Sequence, residues 1–370
     1  MTKVKLKGIT WDHSRGYDPL VAASALYAST HHVEISWSKR TLKNFGDQSL
    51  VDLANNFDLL IIDHPHSGVA AAKKCVLPLD EFISANDYEL LSSQSGGPSF
   101  DSYHYNGHQW ALPIDAAMQT AVYRPDLLKS KVPSTWEEVL EVERLGMALC
   151  PTDSLCSFLT LTAQFGAPID EQNDFLVPEE IGVEVLDLMK RINAQSHPES
   201  INWNPIHLFD FMSENEDVIY APLAFCYTDY SRDGYRQHQL MCTNPPGILH
   251  SVLGGAGIAV SSKCEAKDEA IAFASWVCSE DIQKGIYVEA HGQPANMEAW
   301  KDDYSNELTH GFFTSITPSL ENAYVRPRFE NWPKYQEHLG EVVHDCLKNN
   351  IDGFKTIKHL NQEFSLIKPS

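Results

Sequence analysis

The sequence predicts an α/β protein built as two domains. Three observations carry this. Its 370 residues exceed what one ordinary core holds, so two cores are expected. The first part of the chain alternates strand and helix patterns, as an open parallel sheet with helices on both faces requires. A new pattern begins near Ala111, and an α/β pattern returns after Gly254.

The first strand begins by Val4 and ends at Thr10. A polar turn follows, Trp11-Asp12-His13-Ser14-Arg15-Gly16-Tyr17. Asp18 then reads as a helix N-cap with Pro19 at the first helical position, which places a helix over 20–27. Residues 33–37 read as a second strand and 50–54 as a short helix. The run Phe57-Asp58-Leu59-Leu60-Ile61-Ile62-Asp63 is continuously apolar at its centre, as a strand covered on both faces must be. A second polar turn follows it, Asp63-His64-Pro65-His66-Ser67-Gly68.

From Ala111-Leu112-Pro113-Ile114-Asp115 the chain leads into an extended stretch at 119–124. Ser134 or Thr135 caps a helix whose first turn carries Glu137 and Glu138, which suits the helix dipole. Helical segments dominate beyond it. Residues 217–222 look like another strand and 224–227 the beginning of the next; after 254–260 the pattern is α/β again, with 269–277 an amphipathic helix and 333–348 a final helical stretch.

Composition excludes several functions. The formal net charge of -22 opposes nucleic acid and anionic membrane surfaces, both of which recruit basic groups. No apolar run is long enough to span a bilayer, so direct membrane insertion is not expected. Eight cysteines form no CxxC pair. They read as small buried hydrophobes in a reducing compartment better than as a disulfide framework. No nucleophile elbow, Walker loop or HExxH is present, and no cofactor is expected.

Several phrases in order carry a resemblance. They are Leu77-Pro78-Leu79-Asp80-Glu81-Phe82-Ile83, Tyr105-Asn106-Gly107-His108-Gln109-Trp110-Ala111-Leu112-Pro113 and Tyr123-Arg124-Pro125-Asp126-Leu127-Leu128. Then come Val132-Pro133-Ser134-Thr135-Trp136-Glu137-Glu138-Val139, Gly254 to Ser262, Ala272-Phe273-Ala274-Ser275-Trp276, Gly292-Gln293-Pro294-Ala295 and Arg326-Pro327-Arg328. Together they resemble the sugar-type, maltose-binding-protein-like extracellular solute-binding proteins (family 1) of ABC importers, over nearly the whole chain.

The resemblance implies a type II periplasmic-binding-protein-like fold of two lobes. Each lobe would be a mixed sheet flanked by helices, with a ligand cleft between them. One lobe would take 1–112 and 253–308, the other 113–252 and 309–370. The implied function is capture of a sugar or small polar organic solute by hinge closure, as a monomer serving ABC permease subunits.

In open α/β sheets ligands bind beyond the carboxyl ends of strands. Trp11 and Tyr17 can supply rings there, while Asp12, His13 and Asp115 can bind hydroxyls. Arg15 can hold a ligand carboxylate, or else pair with Asp12 and shape the turn. His64 is a candidate for direct ligand contact. A metal at His64 and His66 is not expected, because no third ligand is near in sequence. If their segment stays extended, both side chains point one way. By the resemblance, Tyr227 in the cluster Tyr227, Asp229, Tyr230 and Arg232 contributes from the second lobe. Gly254 and Gly255 permit close backbone approach at the return crossing, and Gln293 faces the cleft.

The ionisable turn suits an anionic or zwitterionic solute as well as a neutral sugar. A binding protein rather than an enzyme is expected. The alternative is a cytoplasmic lyase, hydrolase or transferase on the same scaffold, using His13, Asp12 or His64 for proton transfer; a third reading is a soluble ligand sensor. Cys150 and Cys226 read as buried rather than nucleophilic. The chain is expected in the periplasm or on the cell surface as a mature form. It is expected in the cytoplasm if Met1 is the native start, since no signal-peptide core precedes the first strand.

Overall fold

The computed structural model describes residues 3–368. Met1, on which the compartment expectation turns, lies outside them. The principal strands are β1 (Val4–Trp11), β2 (Val33–Arg40), β3 (Leu59–Ile62), β4 (Leu112–Tyr123), β5 (Tyr220–Phe225), β6 (Met241–Thr243) and β7 (Leu253–Val260). The helices used below are α1 (Ser14–Thr30), α2 (Pro151–Gln164), α3 (Glu179–Gln195), α4 (Pro205–Glu214), α5 (Lys267–Val277), α6 (Trp332–Lys348) and α7 (Gly353–Ile367).

The chain divides into two compact units. Unit 1 takes the chain up to Ala117, then Gly254–Glu307 and Arg328–Pro333. Unit 2 takes Met118–Leu253, Leu308–Pro327 and the chain from Lys334 onward. The return of Arg328–Pro333 to unit 1 was not foreseen. Its anchors are specific: Arg328 Nη1 donates to the carbonyls of Asp101, Ser102 and His104 at 2.8, 3.1 and 2.9 Å. Gly68 lies so close to the Arg328 carbonyl that no larger residue fits. Arg328 therefore ties a late segment to an early one through three backbone acceptors.

In unit 1 the strand order is β2-β1-β3-β7. β1 pairs parallel with β2 and with β3, whereas β3 pairs antiparallel with β7. The sheet is mixed, because β7 comes from the returning segment and enters from the opposite direction. The unbroken apolar run of β3 has a direct cause. Leu59 and Ile61 join one buried cluster with Leu6, Ile258 and Val260. Leu60 and Ile62 join another with Ile9 and Ala259. Alternate residues face opposite sides of the sheet, and both sides are covered.

α1 begins earlier than Asp18-Pro19 suggests. His13 is its N-cap, with Nδ1 accepting from the Arg15 N–H at 3.1 Å. Pro19 lies inside the helix, on the buried stripe Gly16, Pro19, Leu20, Ala23 and Tyr27. Burial of that stripe outweighs the single backbone hydrogen bond a proline forgoes.

In unit 2, β4 pairs antiparallel with both β5 and β6. α2 is buried along almost its whole length, which accounts for its apolar character. Thr160 fixes it to the sheet: its hydroxyl donates to Gln119 Oε1 at 2.6 Å and accepts from the Val252 N–H at 3.0 Å. Arg124, fully buried, forks onto Asp126 at 2.8 and 2.7 Å and donates to the carbonyls of Met212 and Asn215. The helix start at Thr135 matches its sequence signature. Thr135 accepts from the Glu138 N–H, and Glu138 reaches back to Ser134. No helix among the described residues is long and apolar enough to cross a membrane.

Candidate functional site

At the carboxyl end of β1 in unit 1, the turn 11–17 separates into a buried half and a more accessible half. Trp11 is a core residue, not a ligand ring: it packs on Phe45 at 5.0 Å between centroids and against Gly16. A Cβ at Gly16 would lie 2.3 Å from the Trp11 ring, so the glycine is what admits the indole. Gly16→Ala is expected to destabilise the protein by about 1–3 kcal/mol through overpacking. Equilibrium urea denaturation measures it, and an unchanged midpoint would mean the turn is free to shift.

Arg15 is also buried. It pairs with Asp115 and not with Asp12: Nε donates to Oδ2 at 2.8 Å and Nη2 to Oδ1. The two-pronged geometry that would hold a ligand carboxylate is thus occupied by the protein's own. Asp115 lies in β4 against Gly255, whose φ of +96° and closeness to the Asp115 carbonyl exclude any side chain. Gln293, also buried, donates from Nε2 to the Ala116 carbonyl at 2.8 Å and accepts the Ala116 N–H at its own carbonyl at 3.3 Å. Arg15, Asp115, Gly255 and Gln293 therefore meet around one strand segment as its supports. Gly254 is the first unit 1 residue of β7 and is half-buried.

The more accessible half holds Asp12, which is exposed, and His13 and Tyr17, which are half-buried. Asp12 pairs with Lys39 at 2.9 Å, and the Lys39 ammonium lies 4.2 Å from the centre of the Tyr17 ring. The hydrogen bond to Asp12 raises the Lys39 pKa. Lys39 was missed because it ends a strand whose partner turn is remote in sequence. Arg40 was missed for the same reason. It is buried, donates to the Ile61 carbonyl at 2.6 Å, and its Nε and Nη1 have no acceptor among the described residues. Burial pushes its guanidinium down to about 10, so it stays charged at neutral pH.

After β3 the segment does not stay extended, so His64 and His66 do not project in parallel. Residues His64–His66 form a 3-10 turn capped by Asp63, whose Oδ1 accepts the His64 N–H at 2.9 Å. His64 is fully buried, with the Tyr103 ring edge-on at 6.4 Å.

In unit 2, Tyr227 follows β5 and packs its ring against Phe209 of α4. Thr228–Ser231 form a buried 3-10 turn, with Arg232 Nε 3.7 Å from Asp229 Oδ1. Tyr230 donates to Asp210 Oδ1 at 2.7 Å, and burial raises its hydroxyl pKa far above the usual range. Arg236 donates to the same oxygen at 2.7 Å and covers the Tyr235 ring. The segment is a buried strand end, not a surface loop.

Cys150 caps the buried α2 and hydrogen-bonds through its thiol to Asp153 Oδ2 at 3.0 Å. Burial pushes the thiol up, so it is a protonated donor at neutral pH and a poor nucleophile.

A family model described as "Bacterial extracellular solute-binding protein" matches residues 27–307. The chain belongs to the bacterial extracellular solute-binding protein family. Solved structures agree on the fold. The maltose-bound MalE3 of T. maritima superposes with a TM-score of 0.82 at 17% identity, over 98% of this chain and all of that one (100%). An ABC transporter solute-binding protein from Thermotoga lettingae TMO, bound with α-D-tagatose, gives 0.83 at 15% identity over 99% and 100%. One from Agrobacterium radiobacter K84 in complex with ribitol gives 0.82 at 18% over 98% of each chain. The solute-binding protein thus has the two-unit α/β fold of maltose-binding-protein-like proteins, with mixed sheets and flanking helices.

Proposed function

We propose that this solute-binding protein captures a neutral polyhydroxy compound, a sugar or sugar alcohol, outside the cell for an ABC importer. The observation that carries the choice of ligand class is the Arg15–Asp115 fork. Arg15, the arginine of the turn, already holds a carboxylate. What stays accessible at the end of β1 is an exposed carboxylate, Asp12, with a half-buried imidazole and phenol, His13 and Tyr17. Such groups exchange hydrogen bonds with hydroxyls, and the phenol face suits the C–H face of a sugar ring. The structures named above carry maltose, tagatose and ribitol, all neutral polyols.

In this reading unit 1 contributes Asp12, His13 and Tyr17, and unit 2 contributes the strand end at Tyr227; His64, fully buried, shapes the turn after β3 instead. Contacts to both units favour a closed state, and the crossings at Ala117/Met118 and Leu253/Gly254 serve as hinges. The closed form is what permease subunits would recognise. The site of action is the periplasm or cell surface.

Calorimetry against a panel of sugars, sugar alcohols and amino acids tests this. One neutral polyol should bind stoichiometrically and be recovered unchanged. Asp12→Ala should weaken it about tenfold, the loss of roughly one good hydrogen bond, and should shift the melting temperature little because its carboxylate pairs with a surface lysine. Tight binding of an amino acid, or turnover of the ligand, would overturn the reading.

A further inference from the structure

The C-terminal helices of unit 2 bring together a group of side chains that the solute site does not use. His359 and Glu363 sit one turn apart on α7, so both project from one face. His338 of α6 meets them from the neighbouring helix. Its Nε2 lies 3.0 and 3.2 Å from the two oxygens of Glu363, and His359 Nε2 lies 3.4 Å from Glu363 Oε1. One ligand atom from each residue falls within 4.8 Å of the other two.

We propose that His338, His359 and Glu363 form a binding site for a zinc-class divalent ion that clips α6 to α7. The donor set is two imidazoles and one carboxylate, which suits zinc and disfavours magnesium, an ion that demands oxygen ligands. The spacing fits as well. Ligands about 2.0–2.2 Å from a tetrahedral zinc lie about 3.3–3.6 Å from one another, close to the imidazole–carboxylate separations found here, and the third separation stays within 4.8 Å. The helix register is set independently of any ion. Tyr335, one turn before His338, donates to the Leu360 carbonyl at 3.0 Å and packs beside Phe364 at 6.2 Å. Those contacts, one residue after His359 and one residue after Glu363, hold the three donors opposite each other. The side chains of His338 and His359 are 46% and 53% exposed, so an ion reaches them from solvent and keeps water at its fourth position. Such a site braces the helical hairpin and leaves chemistry elsewhere untouched.

The test uses the full chain after chelator treatment, titrated with zinc chloride by calorimetry and followed by thermal unfolding. One saturable event per chain is expected, with a melting temperature that climbs as zinc is added. His338→Ala and His359→Ala should each weaken binding by more than about tenfold, the loss already typical of removing an outer partner of a metal ligand. Both should melt like the parent without zinc, since the positions are exposed. His104→Ala, a change at an exposed histidine of unit 1, should leave the titration unaltered. Absence of a saturable event, unchanged binding in the double variant His338→Ala/His359→Ala, or an equal response to magnesium chloride would each overturn the proposal.

Discussion

Replacing Asp115 by Ala is expected to lower the stability of the protein by about 3–5 kcal/mol, the cost of breaking a buried ion pair from one side. The side chains of Arg15 and Asp115 are 5% and 0% exposed and bonded at two points. Removing the carboxylate takes away both bonds to the guanidinium while leaving its charge in the interior. Ion pairs of this kind are weak evidence for stability in themselves, because desolvating both charges offsets most of their attraction. The double variant Arg15→Met/Asp115→Leu should therefore recover most of the loss. Denaturant titration of the single and double variants measures the coupling. If Asp115 were a ligand group rather than a support, Asp115→Ala would abolish solute binding and leave stability nearly intact. That result would sink the structural assignment.

The reason lies in what surrounds the pair. Gly255 abuts the Asp115 carbonyl, and Gln293 bonds both backbone groups of the next residue, its N–H and its carbonyl. The strand segment at 115–116 is thereby held by α1, by β7 and by the turn at 293. Its position decides where β4 leaves unit 1. The polar residues gathered there fix the frame on which the more accessible Asp12, His13 and Tyr17 are mounted.

This explains which parts of the molecule were legible in the sequence. β3 was readable because burial on both faces leaves a continuous apolar run, and the helix start at Thr135 because a capping box is a local signal. The start of α1 was misplaced because Asp-Pro is a strong local cue, while a histidine cap has no comparable signature. The role of Arg15 was not readable: its partner lies 100 residues away, and a charged turn looks the same whether it faces solvent or the interior. The same blindness hid Lys39 and Arg40, and it hid His338, whose partners sit on another helix. The strand-end residues were named as a group, but sequence could not separate the exposed or half-buried Asp12, His13 and Tyr17 from the buried Trp11, Arg15 and Asp115. Only packing divides them.

Asp153 gives the second large effect, and it depends on pH. The carboxyl sits in the first turn of α2, a location whose dipole favours an anion. Burial wins nevertheless and pushes its pKa up to about 7. In the unfolded chain the same group titrates near 3.9. Between about pH 4 and about pH 7 the folded protein therefore binds a proton that the unfolded chain has lost. Over that window this group makes stability fall as pH rises, by up to about 1.4 kcal/mol per unit and about 4 kcal/mol in all. Below pH 4 both states hold the proton and the cost vanishes; above pH 7 the cost is constant. Asp153→Asn removes the titration and keeps an oxygen to accept from the Cys150 thiol. The buried amide must still place its own N–H groups, which reduces the gain by about 1–3 kcal/mol. The variant's stability relative to the parent should therefore improve by up to about 4 kcal/mol between pH 4 and pH 8. At pH 8 it should be the more stable of the two. Denaturation midpoints at the two pH values measure this. A stability difference that does not change with pH would mean that Asp153 ionises in the folded protein as it does in water, and that water reaches it.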